Sequence, residues 1–307
     1  MTASQLENSI EVSSPKGARL ALNALFLGAL AIAFAPIFVR LSQVGPSSTA
    51  FWRLVLSLPV LFVWMQLEGR GTQAPRRPST RSDYIQLIVA GLFFTGDLGV
   101  WHWSIRFTTV ANATLLANFA PIFVALGSWL LFRQRVTRAF VFGMVMALAG
   151  TVFLVGGSFR LSLQHLWGDF LGLITAVFYA GYILSVKELR REFSTSTSLT
   201  WSGLVSSIAL LPISQLSGES LLPASAAGWM VLVALALLSH FGGQGLITFA
   251  LAKLPAAFTS VVLLVQPIAA TIFAWLILGE SLGPWQALGG TLALAGIYVA
   301  RQASQIG

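Results

Sequence analysis

The sequence predicts an all-α integral membrane fold: ten transmembrane helices arranged as two inverted five-helix repeats. Three observations predict it: an apolar composition, a one-sided distribution of basic residues, and an internal repeat. Of the 307 residues, 56% are hydrophobic and 9% charged. A soluble domain carries about 25% charged residues, so this surface faces lipid rather than water. The formal net charge is +8. Nucleic-acid binding needs a basic groove or stripe, whereas here the basic residues punctuate long apolar runs. Cysteine is absent, which removes disulfides, thiolate metal ligands and a Cys nucleophile.

Residues 1–17 are polar and read as a cytoplasmic N-terminal tail. The first apolar run, Leu20 to Val39, follows Lys16 and Arg19. It is long for a signal-peptide core and many similar runs follow, so it reads as an uncleaved first span. The spans fall near 20–40, 47–67, 84–105, 108–132, 139–156, 166–187, 197–216, 227–250, 256–278 and 284–301. Each is long enough to cross roughly 30 Å of hydrocarbon as a helix. Spans three and four are the least separable, with only Arg106 and Phe107 between them.

The basic residues test the count. With ten spans, one face of the membrane holds Lys16, Arg19, Arg70, Arg76, Arg77, Arg81, Arg133, Arg135, Arg138, Lys187, Arg190, Arg191, Lys253 and Arg301. The other face holds Arg40, Arg106 and Arg160, and Arg53 lies inside span two. The fourteen-to-three split places the first face, and both termini, in the cytoplasm. The expected location is the inner membrane. Topology accounts for the charge and no nucleic acid is called for.

The repeat appears when the chain is slid along itself by 146 residues. Pro121-Ile122 falls on Pro267-Ile268, and Trp129-Leu130 on Trp275-Leu276. Gly143 falls on Gly289, and Ala147-Leu148-Ala149-Gly150 on Ala293-Leu294-Ala295-Gly296. That makes nine identities in thirty ungapped positions, with Pro, Trp and Gly in register. At a shift of 144, Leu27-Gly28 and Phe34 meet Leu171-Gly172 and Phe178. The halves are 20–156 and 166–301, with five spans each. Five is odd, so the second half enters the membrane upside down. Arg133, Arg135 and Arg138 accordingly give way to Gly279, Ser281 and Pro284. Inverted repeats recur in transporters, with the substrate site near the midplane between the halves.

These residues carry a family resemblance. Pro267-Ile268, Trp275-Leu276-Ile277-Leu278-Gly279-Glu280, Gln286, Gly289-Gly290 and Ala295-Gly296 resemble the EamA-type branch of the drug/metabolite transporter superfamily. Pro121, Trp129 and Gly150 echo it in the first half, which departs at Gln134 where the Glu280 equivalent would sit. The resemblance implies a secondary transporter that exports amino acids, metabolites or cationic drugs. The aromatic content is most similar to the aromatic amino-acid exporter branch.

The candidate site residues lie mid-span. Pro121 and Pro267 each remove a helix hydrogen bond and are either static kinks or a paired hinge. Gly143 and Ala147, with Gly289 and Ala293, make small-xxx-small packing steps. Asp97 is the one acidic residue near the middle of a span. Such a residue costs about 2.5–3.5 kcal/mol on insertion scales, so it faces protein or a wet cavity. It is either a structural partner or a pathway residue, and the one candidate for carrying a proton. Its repeat position holds Gly243, which favours a facilitator over an ion-coupled antiporter.

Trp101 shares the face of Asp97, whereas His102 falls about 140° round, on a face with Thr95 and Leu98, so Asp97 and His102 do not obviously point at the same cavity. His102 equally suits an interfacial aromatic belt with Trp101 and Trp103. His240 and Gln244 form a polar patch one turn apart, serving an interhelical hydrogen bond or a substrate. Tyr179 and Tyr182 share a face of span six and carry hydroxyls that need partners. Phe34 and Phe38 share a face of span one and read as packing.

No P-loop, HExxH or carboxylate cluster occurs. A membrane enzyme would need a nucleophile–base pair or metal ligands, so the chain reads as no enzyme, without cofactor or metal. A channel wants a ring of like residues, which an asymmetric chain does not offer. The partners called for are the lipid bilayer and a small-molecule substrate. The sequence leaves the oligomeric state open, a monomer included.

Overall fold

The computed structural model describes residues 15–70, 75–108, 110–156, 165–279 and 282–304. Among these every regular element is helical. Nine helices among the described residues are long and apolar enough to cross a membrane. They are α1 (Lys16–Leu41), α2 (Pro46–Glu68), α3 (Arg81–Phe107), α4 (Asn112–Phe132), α5 (Arg138–Val155), α6 (Leu166–Leu189), α7 (Thr195–Leu216), α8 (Ala226–Lys253) and α9 (Ala256–Leu278). A further helix, α10 (Pro284–Ser304), is 21 residues long. It is less apolar because Gln286, Gly289, Gly290, Thr291, Gly296 and Arg301 interrupt its apolar residues. The protein is a multi-pass membrane protein.

The first helix starts at Pro15, so residues 15–17 of the expected tail are helical. The rest of the expected tail, with Arg160, Glu280 and Ser281, lies outside the described residues. The unclear boundary between spans three and four resolves at Thr108, whose extended backbone ends α3.

The helices pack in a definite pattern. Helix α5 lies along α10, α3 along α6, and α1 along α8. Helix α4 touches α6 and α9, α1 touches α9, and α2 touches α7. Exchanging α1–α5 for α6–α10 maps this set of pairs onto itself. The closest seam is α5 with α10. A Cβ on Gly150 would lie 2.3 Å from the Ala293 backbone nitrogen, and one on Gly296 would lie 2.3 Å from that of Ala147. Small residues let the two backbones approach to van der Waals contact, which drives association where lipid supplies no hydrophobic effect.

Proline breaks several helices. Helix α4 is interrupted at Asn118 and Phe119, just before Pro121, and α9 at Leu263 and Leu264, just before Pro267. Proline has no N–H to reach back four residues. The Leu263 carbonyl instead accepts from the Gln266 backbone N–H at 2.9 Å. Pro36 and Pro59 fall just after breaks in α1 and α2, at Phe34 and at Leu56 to Ser57. Pro212 leaves α7 continuous. Within α8, residues Leu235–Gln244 wind as a π-helix, a local widening often found at functional sites.

Candidate functional site

A cavity of about 740 Å³ lies among α1, α2, α3, α4, α6, α8 and α9, within the ~300–1,000 Å³ range of small-molecule sites. Its wall is mostly apolar, with a few polar groups. It runs from midspan to the connections that follow α1 and α3 and to the C-terminal end of α9, reaching Arg40, Pro46, Ile105, Thr114 and Leu278.

The structure brings most of the predicted residues to this cavity. Asp97, Trp101, His102, Tyr179, Gln244, Pro121 and Pro267 all line it. The helical-wheel reading of Asp97 and His102 is corrected here. On α3 the lining positions are Phe94, Asp97, Leu98, Trp101, His102 and Ile105. They span an arc of about 140°, with Asp97 at one edge and His102 at the other. The cavity is broad enough to hold both. His102 Nδ1 donates to the Leu98 carbonyl. A carbonyl only accepts, so Nδ1 carries a proton in this contact.

Tyr182 and His240 do not line the cavity. They stand behind it, packed on Phe94, whose ring stacks on Tyr182 at 4.5 Å and on His240 at 5.7 Å. Tyr182 is fully buried. Its hydroxyl accepts a 3.2 Å hydrogen bond from Gln244 Nε2, which turns the Gln244 carbonyl oxygen free as an acceptor. Among the described residues neither ring nitrogen of His240 has a hydrogen-bond partner. Phe34 stacks on Phe273 at 4.1 Å and on Phe38 at 6.3 Å, as packing.

Arg53, Gln266 and Asn118 also line the cavity and were not among the predicted site residues. Arg53 lies within electrostatic reach of Asp97, Tyr179 and Tyr182. The signal for it was available: an ionisable residue inside a span is a functional candidate by default. Gln266 directly precedes Pro267, in the first turn of the helix that resumes after the Leu263–Leu264 break. Among the described residues no group of three or more His, Cys, Asp or Glu could hold a metal ion.

The opposite end of the cavity is closed. Lys187, near the end of α6, donates to the carbonyls of Leu251, in the last turn of α8, and Leu254, just beyond it, at 2.8 and 3.0 Å. Arg190 donates to the carbonyl of Thr248 at 3.3 Å and to that of Phe193. Burial pushes the Arg190 guanidinium down to about 10, which leaves it charged near neutral pH. Positive groups at a helix C-terminus suit the dipole and the free carbonyls there. Below the cavity floor Ile183, Val186, Leu251 and Val261 are buried together.

Comparison with known proteins agrees with this architecture. The EamA-like transporter family matches residues 19–156 and again residues 166–302. An uncharacterized transporter of Archaeoglobus fulgidus is 26% identical, over 86% of this chain and 91% of its own. The probable terminal-alkyne amino-acid exporter of Streptantibioticus cattleyicolor is 26% identical, over 88% of each chain. The pseudopaline exporter of Pseudomonas aeruginosa is 24% identical over 62% of this chain and 64% of its own. A solved crystal structure superposes with a TM-score of 0.76 at 21% identity, covering 95% of this chain and 99% of that one. At that identity the likeness speaks to the fold. Two family matches that together span nearly the whole chain show that this membrane protein belongs to the EamA-like transporter family.

Proposed function

We propose that the protein exports small amphipathic solutes, above all amino acids with apolar or aromatic side chains and related metabolites. It does so across the inner membrane by alternating access, as a carrier rather than an enzyme. One observation carries the reading: a mostly apolar cavity, studded with a few polar groups, reaches one end of the bundle while the other end is sealed. The contact pattern that survives exchange of α1–α5 for α6–α10 supports ten spans in two inverted repeats. By the positive-inside rule the sealed end, rich in Lys and Arg, is cytoplasmic. Both termini are then cytoplasmic, and the cavity opens outward. The breaks before Pro121 and Pro267 act as a paired hinge. Lys187 and Arg190 let go when the cytoplasmic end opens.

A cationic drug is the second reading, favoured by the Asp97 carboxylate on the wall. Arg53 on the same wall counts against it, because a bound cation would meet a fixed positive charge. The test is transport by purified protein in liposomes against a panel of amino acids and cationic drugs. Saturable flux of amino acids supports the proposal. Chemical conversion without flux contradicts it.

A further inference from the structure

Two opposite charges face the cavity, and neither is neutralised by direct contact with protein. Arg53 donates no hydrogen bond within the described residues, and its Nε is buried without a partner. No ion pair joins it to Asp97, although each feels the other's field. Gln266 Nε2 is a second buried donor without a well-formed hydrogen bond among the described residues, its neighbour being the Tyr179 hydroxyl. The Gln244 carbonyl oxygen is a further acceptor on the wall. Arg40, also on the wall, has contacts of its own near the mouth.

Charged groups held away from bulk water are costly unless they meet complementary charge. A guanidinium presents a planar fork of donors that fits a carboxylate. A carboxylate only accepts, and so fits an ammonium group. An anionic solute would satisfy Arg53 and face Asp97, and a cationic solute would do the reverse. A zwitterion satisfies both and brings no net charge into the membrane. We infer that Arg53 with Gln266 receives the carboxylate, and Asp97 with Gln244 the ammonium group, of an amino acid whose side chain lies on the apolar wall. This assignment rests on the carrier reading above and names the groups that select its substrate.

The test uses the purified protein in liposomes with labelled L-leucine and L-phenylalanine. Each is compared with its carboxamide, which lacks the carboxylate, and its N-acetyl form, which lacks the ammonium. The parent should carry the free amino acids roughly tenfold or more better than either analogue. Arg53→Gln should lose that advantage over the carboxamide and keep it over the N-acetyl form. Asp97→Asn should do the converse. If both variants weaken all three compounds equally, the two residues are scaffold and the assignment is overturned. If the folded parent moves none of the amino acids in the panel, the carrier reading itself fails, and the assignment with it. Gel filtration reports folding. Should Arg53→Gln aggregate, Gln266→Leu probes the carboxylate end, and an equal effect on acid and carboxamide would overturn the proposal.

Discussion

Gln244 Nε2 donates to the Tyr182 hydroxyl at 3.2 Å, so a fully buried tyrosine behind the cavity sets the orientation of an amide on its wall. Removing the hydroxyl leaves Gln244 Nε2 without its partner, at a cost of about 1–3 kcal/mol. Tyr182→Phe should lower the unfolding midpoint in detergent and raise the transport KM several-fold, while the maximal rate stays near that of the parent. An unchanged midpoint and KM would show that Gln244 needs no such support.

The α5–α10 seam predicts a position-specific intolerance. At Gly150 and Gly296 an added Cβ meets backbone at 2.3 Å, whereas at Gly290 the nearest atom is an Ile268 side-chain carbon at 3.6 Å. Backbone cannot rotate away as a side chain can. Gly150→Ala and Gly296→Ala should sharply reduce monodisperse yield by gel filtration, and Gly290→Ala should not. Equal yields for all three would contradict the packing described.

The topology is testable in a chain without native cysteine. Ser220 and Arg135 are both exposed, and the ten-span arrangement places them on opposite faces. Ser220→Cys should react with an impermeant maleimide in intact cells. Arg135→Cys should react only after permeabilisation. The reverse order would invert the orientation, and labelling of both from one side would remove the inverted repeat.

Asp97 decides the energy source. Its repeat counterpart is Gly243, and the partner charge nearby is Arg53. A carboxylate that serves a substrate ammonium is not free to carry a proton in the same step. Substrate efflux from vesicles should therefore proceed without a change in internal pH. Proton movement that follows substrate and vanishes in Asp97→Asn would instead establish antiport.

The spans were legible because hydropathy and charge act along the chain, where sequence is read directly. The α5–α10 seam was legible because close packing requires small residues, and Gly143, Ala147, Gly289 and Ala293 show it. The cavity wall was legible in part. Asp97, Trp101, His102, Tyr179 and Gln244 stand out as polar or aromatic residues in apolar helices. Which of them face one cavity depends on its breadth, and a wheel centred on Asp97 turned His102 away. Tyr182 and His240 look the same in sequence, yet helix packing sets them one layer back, against Phe94. The π-helical turn in α8 leaves no mark in hydropathy. Arg53 was visible as the charge that fitted neither face of the membrane, and its meaning emerged only beside Asp97.

The central claim is that this cavity carries solute by opening to each side in turn, and counterflow tests it most directly. Liposomes holding purified protein are preloaded with unlabelled L-leucine and diluted into a trace of labelled L-leucine. A carrier produces a transient internal accumulation of label above the equilibrium level. We predict that overshoot, its reduction in Trp101→Ala, and slower exchange at similar affinity in Pro121→Ala and Pro267→Ala. Label that only approaches equilibrium, or that enters no faster than in protein-free liposomes, would contradict the account.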